Sequence, residues 1–176
     1  MEATLQAAAG FGVTRLILNS RWRSRRLLIL CYHGFSLHDE HNWDPELFIT
    51  GARLRRRFEH LRESRCSVLS LSDGLECLRR GTLPHRAVCL TVDDGFYDFL
   101  AVAYPLIQEF AFPVTVYVTT YHVEHPLPVF NVMSSYLFWK ASLVGRHEIR
   151  VRLLGDQPLP IATRNARLDT WNLLKT

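Results

Sequence analysis

The chain has 176 residues, 48% hydrophobic and 22% charged, with a formal net charge of +4. That length and balance suit one globular domain with a sizeable core and exclude a disordered or fibrous chain. No run approaches the roughly 20 apolar residues that span a bilayer. The positive charge rests on arginine, Lys140 and Lys175 being the only lysines, which reads as a solvated surface and not as a nucleic-acid partner.

Residues 1–26 are expected to form a lead-in segment, with the domain itself over 27–176. Glu2 precedes the apolar part of that segment and the arginines follow it, the reverse of a secretory signal, so the expected location is the cytoplasm. Arg15, Arg21, Arg23, Arg25 and Arg26 offer a weak contact for anionic lipid headgroups, and a solvated amphipathic helix is the simpler expectation. Cys31, Cys66, Cys77 and Cys89 show no CxxC spacing. Free thiols fit them, with Cys31 and Cys89 acting as small hydrophobes inside strand-like runs.

Residues 27–33, ending in Tyr32-His33, form the first expected strand, and 35–43 read as a polar loop over its end. Asp44-Pro45 resembles a helix start, with an acid at the cap and proline in the first turn. Leu47, Phe48, Ala52, Leu54, Phe58 and Leu61 then recur at near-helical spacing opposite a run of arginines. A second strand is expected over 67–71. A second helix follows from Ser72-Asp73-Gly74, with Asp73 and Glu76 spaced like a capping box and Gly81 as the stop. Ala87 to Val92 is an apolar run driving into Asp93-Asp94-Gly95, which predicts a buried strand with two acids at its end. A helix is expected over 97–110 with a kink or restart at Pro105. The β-branched run 114–120 reads as a fourth strand.

The order β-α-β-α-β-α-β predicts a parallel sheet with helical crossovers, where ligands bind at the carboxyl ends of strands. Two adjacent carboxylates there repel each other and call for a cation, a shared proton or a nearby base. Beyond Thr120 the rhythm breaks: 122–128 reads as loop, 131–143 as helix, 148–154 as strand with a turn at Gly155-Asp156, and 162–175 as helix.

Thr91-Val92-Asp93-Asp94-Gly95 resembles the TFDDG motif of polysaccharide deacetylases, the NodB-homology family, also called carbohydrate esterase family 4. CYHG at 31–34, VLSL at 68–71, GTLP at 81–84 and PVTVYVTT at 113–120 stand in the order and spacing typical of that family, so the resemblance covers about 28–140. It implies an α/β fold in the form of an incomplete or distorted (β/α) barrel. It also implies metal-dependent hydrolysis of the C–N amide bonds of N-acetyl groups on amino-sugar oligomers and polymers. Zinc is the expected ion. Asp93 falls at the family's general base and Asp94 at a metal ligand, beside two histidines of an H-[ST]-x-x-H motif.

The chain departs from the pattern at those histidines. His122 and His125 are spaced i, i+3, lack the Ser or Thr, and follow the 114–120 strand too closely, which makes them a weak alternative metal pair. His33 and Tyr32 are expected to line the site. The chain therefore reads as the N-terminal, truncated portion of the domain. The alternative expectation is a non-catalytic remnant of the same fold that binds saccharide or a partner chain.

Overall fold

The computed structural model describes residues 20, 25–125, 127–152 and 155–174. Arg15, Arg21 and Arg23 of the expected lead-in segment lie outside the described residues. The chain divides into two compact units, Met1–Val118 and Thr119–Thr176.

The first unit is an α/β arrangement around a parallel sheet. It contains β1 (Leu28–Tyr32), β2 (Gly34–Ser36), α1 (Glu40–Trp43), β3 (Phe48–Thr50), α2 (Gly51–Glu63), β4 (Ser67–Leu69), α3 (Leu71–Arg80) and β5 (Ala87–Val92). A π-helical segment (Phe99–Ala103), α4 (Tyr104–Phe110) and β6 (Val114–Val116) complete it. The central strand is β5, buried along its whole length. β1 runs along one edge of it from Leu28↔Val88 to Tyr32↔Val92. The other edge is shared: β4 pairs with Ala87 to Cys89 and β6 with Leu90 to Val92, all in parallel. The sheet is open, and no closed sheet is seen among the described residues.

Strand alternation sorts the side chains of β5. Val88, Leu90 and Val92 enter the main core with Tyr32, Phe35, Leu54, Phe58, Leu61, Ile107 and Phe110. Phe58, Phe110 and Phe112 meet there with ring centroids 5.4 to 5.6 Å apart, and Arg62 lies over the Phe110 ring at 4.3 Å. On the opposite face, α3 comes so close to β5 that a Cβ at Gly74 would sit 2.5 Å from Cys89 Sγ. Glycine is required there by close approach.

Several boundaries differ from the sequence reading, for local reasons. Asp44-Pro45 opens a turn and not a helix: Asp44 Oδ1 accepts from the backbone of Glu46 and Leu47. The chain then pairs Phe48–Thr50 with Gly34–Ser36 in a second, two-stranded parallel sheet. The helix starts one element later, with Thr50 as its cap accepting from the Arg53 amide at 3.2 Å. Thr50→Ala is expected to lower stability by about 1 kcal/mol, read as a fall in denaturation midpoint at constant m-value.

The expected loop over 35–43 instead holds β2 and α1. In α3 the cap is Ser70, two residues before the expected start: its hydroxyl accepts from the Asp73 amide at 3.1 Å and donates to Asp73 Oδ2. Gly81 ends that helix at φ 68. The restart at Pro105 takes a specific form. Proline has no N–H to donate, and just before it the Tyr104 amide reaches back five residues to the Phe99 carbonyl, giving a π-helical turn. β6 ends at Val116, four residues short of the expected strand.

The second unit holds α5 (Thr120–Glu124), α6 (Phe130–Leu143), the antiparallel pair β7 (Glu148–Arg150) and β8 (Pro158–Pro160), and α7 (Arg164–Leu173). The expected loop at 122–128 is thus partly helical. α7 is capped by Thr163, which accepts from the Ala166 amide. The Thr170 hydroxyl ties the helix to the Pro160 carbonyl at 2.7 Å. Among the described residues no helix is long and apolar enough to cross a membrane.

Candidate active site at the carboxyl end of the central strand

The register that pairs Tyr32 with Val92 carries on past the strand ends: the Asp93 amide donates to the Tyr32 carbonyl at 2.9 Å. His33 and Asp93 therefore leave the sheet side by side. Alternation places Cys31 on one face of β1 and Tyr32 on the other, and His33 follows directly after the strand. The result is a compact polar group. His33 Nε2 stands 3.7 Å from Asp93 Oδ2, both side chains about two-fifths exposed, and the Cys31 thiol donates to the same oxygen at 3.3 Å.

Asp94 occupies the left-handed region at φ 68, followed by Gly95 at φ 62. Two successive left-handed residues make a sharp reversal, closed by the Gly95 amide donating to the Asp93 carbonyl at 2.9 Å. A Cβ at Gly95 would press on Val118 Cγ2 at 3.2 Å. The turn sends the two carboxylates off the strand end from different backbone conformations. Among the described residues Asp94 makes no side-chain hydrogen bond or ion pair.

Asp98 holds the other side of this corner. It is buried, and its Oδ2 accepts from the Phe35 amide at 2.9 Å, while Oδ1 is buried with no partner. Burial pushes its carboxyl up to about 6, against the Phe35 and Phe99 amides, which favour the charged form, with Glu40 adding a smaller upward push. The bond links the first residues of β2 to the turn that follows Asp93-Asp94-Gly95, so Asp98 fixes where His33 and Gly34 sit relative to Asp93. Its burial is not legible in the sequence. The available signal was an acid four positions after Asp94 at a helix entrance, which looks like an ordinary solvated first-turn residue.

Cys31 corrects another expectation. It is exposed, whereas Cys89 is buried as a small hydrophobe should be. Partial desolvation of the sulfur, and the charge of Asp93 that accepts its hydrogen bond, push the Cys31 thiol above its usual range.

Tyr32 does not join the polar group. Its ring is in the core with Arg57 5.6 Å from its centroid, and its hydroxyl is buried without a partner. His122 and His125 belong to the second unit. Each ring uses Nδ1 on a backbone carbonyl, that of Leu127 at 3.2 Å and that of Tyr121 at 3.1 Å, and His125 stacks on Tyr121. Among the described residues they belong to no cluster of three ligating side chains.

A catalytic metal site is defined by its donors. Such a zinc site uses three protein ligands and keeps one position open. Asp94 is one carboxylate and belongs to no group of three ligating side chains among the described residues; the cluster that does form is Cys31, His33 and Asp93. The described residues thus do not by themselves make the ligand set expected around Asp94.

No family model matches the chain. Over 89 residues it is 33% identical to the poly-β-1,6-N-acetyl-D-glucosamine N-deacetylase of Escherichia coli K12, a stretch that makes up 47% of this chain and 13% of that protein. Among solved structures it is similar to the Streptococcus pyogenes deacetylase PplD in complex with acetate, with a TM-score of 0.50 and 26% identity over 56% of this chain and 44% of that one. A de-N-acetylase from Aggregatibacter actinomycetemcomitans aligns with 85% of this chain and 51% of its own, at 18% identity and a TM-score of 0.49. With an Asp-Asp-Gly turn closing the central parallel strand, and with deacetylases on both the sequence and the structural side, the chain is similar over part of its length to polysaccharide deacetylase domains of the NodB-homology type.

Proposed function

We propose that this domain belongs to a metal-dependent hydrolase that removes N-acetyl groups from amino-sugar polymers, with poly-β-1,6-N-acetylglucosamine as the first substrate to try. The observation that carries this reading is the Asp93-Asp94-Gly95 turn at the end of β5 with His33 3.7 Å from Asp93. Asp93 is the proposed general base. Its side chain is about two-fifths exposed, so its carboxylate can take a proton from water as oxygen attacks the acetyl carbon. His33, beside the same carboxylate, holds or returns a proton as the amine leaves. Asp94 is the proposed ligand of a divalent ion, zinc in the first instance. An ion held there would polarise the amide carbonyl and acidify water. The further ligands are assigned to histidines outside the described group at the strand end. The outer edge of β1, which pairs only with β5 among the described residues, is where a further strand of a (β/α) barrel would add.

A second reading rests on the same shortage of donors around Asp94: a remnant that binds saccharide without turning it over. The test is acetate release from N-acetylglucosamine oligomers with added Zn²⁺ or Co²⁺. Acetate production that a chelator stops supports the hydrolase. Oligomer binding with no acetate supports the remnant.

A further inference from the structure

We propose that Cys31, His33 and Asp93 form a binding site for a soft divalent cation, Zn²⁺ in the first instance, distinct from the ion assigned to Asp94. The three donor atoms lie within 4.8 Å of one another. Two of the separations are 3.3 Å (Cys31 Sγ to Asp93 Oδ2) and 3.7 Å (His33 Nε2 to the same oxygen). With metal bonds of about 2.3 Å to sulfur and about 2.0 Å to nitrogen or oxygen, the edges of a tetrahedron are about 3.3 to 3.5 Å. Two of the three pairs are thus near liganding separation already, and the third lies within 4.8 Å.

The backbone accounts for the convergence. Cys31 lies on β1, His33 directly follows that strand and Asp93 directly follows β5, and the paired ends Tyr32↔Val92, with the Asp93 amide donating to the Tyr32 carbonyl, bring the three together. A rigid sheet holds ligands more reproducibly than a loop does. Sulfur and imidazole donors select zinc over magnesium or calcium. All three residues reach solvent, which gives the ion an entry path and a water as fourth ligand.

Binding needs no oxidant. The Cys31 thiol gives up its proton to solvent, the hydrogen bond to Asp93 is replaced by sulfur–metal and oxygen–metal bonds, and one proton is released per ion. An ion held there occupies the carboxylate proposed as the base, so excess zinc would oppose turnover; that consequence rests on the function proposed above, whereas the site itself does not.

The test is titration of the whole chain with Co²⁺ and Zn²⁺, following the thiolate-to-cobalt charge-transfer absorption and its displacement by zinc. The absorption is expected in the wild type and in Asp94→Ala, to vanish in Cys31→Ser, and to need at least about tenfold more cobalt in His33→Ala. Far-UV circular dichroism of each variant confirms the fold. No absorption in the wild type, or an absorption that survives Cys31→Ser, overturns the site. Because Asp94→Ala is expected to keep the absorption while losing metal-supported acetate release, failure of this site and failure of the hydrolase reading give different results.

Discussion

Asp94→Ala is expected to abolish metal-supported acetate release, by a factor of about 10² to 10⁴, while leaving the fold intact. The factor follows from losing an ion that supplies several kcal/mol of transition-state charge stabilisation. The fold should survive because Asp94 has no side-chain partner among the described residues and already pays for a left-handed backbone at φ 68. Alanine is less tolerant of that conformation than aspartate, at a cost of about 1 kcal/mol, well below the stability of an ordinary domain. Asp94→Asn keeps the backbone preference and removes the charge, so it separates the two effects. Equal loss of activity in both variants at near-wild-type melting temperature identifies the carboxylate, and not the turn, as the functional element. Asp94→Gly gives the same information from the other side, since it relieves the backbone and should be the most stable of the three.

The second large effect concerns Asp98 and acidity. Folded, its buried carboxyl is pushed up to about 6 from an ordinary 3.8. Between those values the folded protein holds a proton that the unfolded chain has released. Stability from this group is therefore fully present below the unfolded value and is lost as pH rises through the folded one. Two units correspond to about 3 kcal/mol. The difference in unfolding free energy between the wild type and Asp98→Asn should accordingly swing by about 2 to 3 kcal/mol, against the wild type, from about pH 4 to about pH 7. Asparagine keeps an acceptor for the Phe35 amide and has no charge to bury. Asp98→Ala should instead be destabilised across the range by about 1 to 3 kcal/mol, because it leaves that amide unpaired in the core. Urea titrations at several pH values give both numbers. A wild-type minus Asp98→Asn difference that does not change with pH would remove the buried ionisable corner from this account.

The central part of this structure was legible because its signals are local and redundant. β5 reads as a buried strand from an unbroken apolar run, and Gly81 as a helix stop from its position after two arginines. The Asp93-Asp94-Gly95 turn is legible as chemistry because two carboxylates on adjacent residues need a physical reason. The misread elements depend on partners elsewhere in the chain. Phe48–Thr50 is three residues long and becomes a strand only by pairing with Gly34–Ser36, so its apolar residues read locally as part of the helix that follows. Asp73 has the spacing of a cap, and only the backbone shows that Ser70 is the cap instead.

Cys31 shows the limit most clearly. A cysteine in an apolar strand is buried if the strand is central and exposed if it lies at an edge. Which strand is central is set by register with β5, to which the local sequence is blind. Asp98 was hidden in the same way: at a helix entrance it resembles a solvated acid until Phe35 closes over it. The strand-end position of His33 points to the acids, and its 3.7 Å approach to Asp93 follows from parallel pairing that no single segment encodes.

The proposal that Asp93 is the base that activates water can be tested by comparing wild type and Asp93→Asn, each supplied with Zn²⁺ or Co²⁺ at an activating concentration, for acetate released from N-acetylglucosamine oligomers. Asparagine preserves the shape at the strand end but cannot take a proton. The account predicts chelator-sensitive acetate release by the wild type and a loss of about 10² to 10⁴ in Asp93→Asn, with oligomer affinity unchanged. Equal acetate release by the two proteins would contradict it.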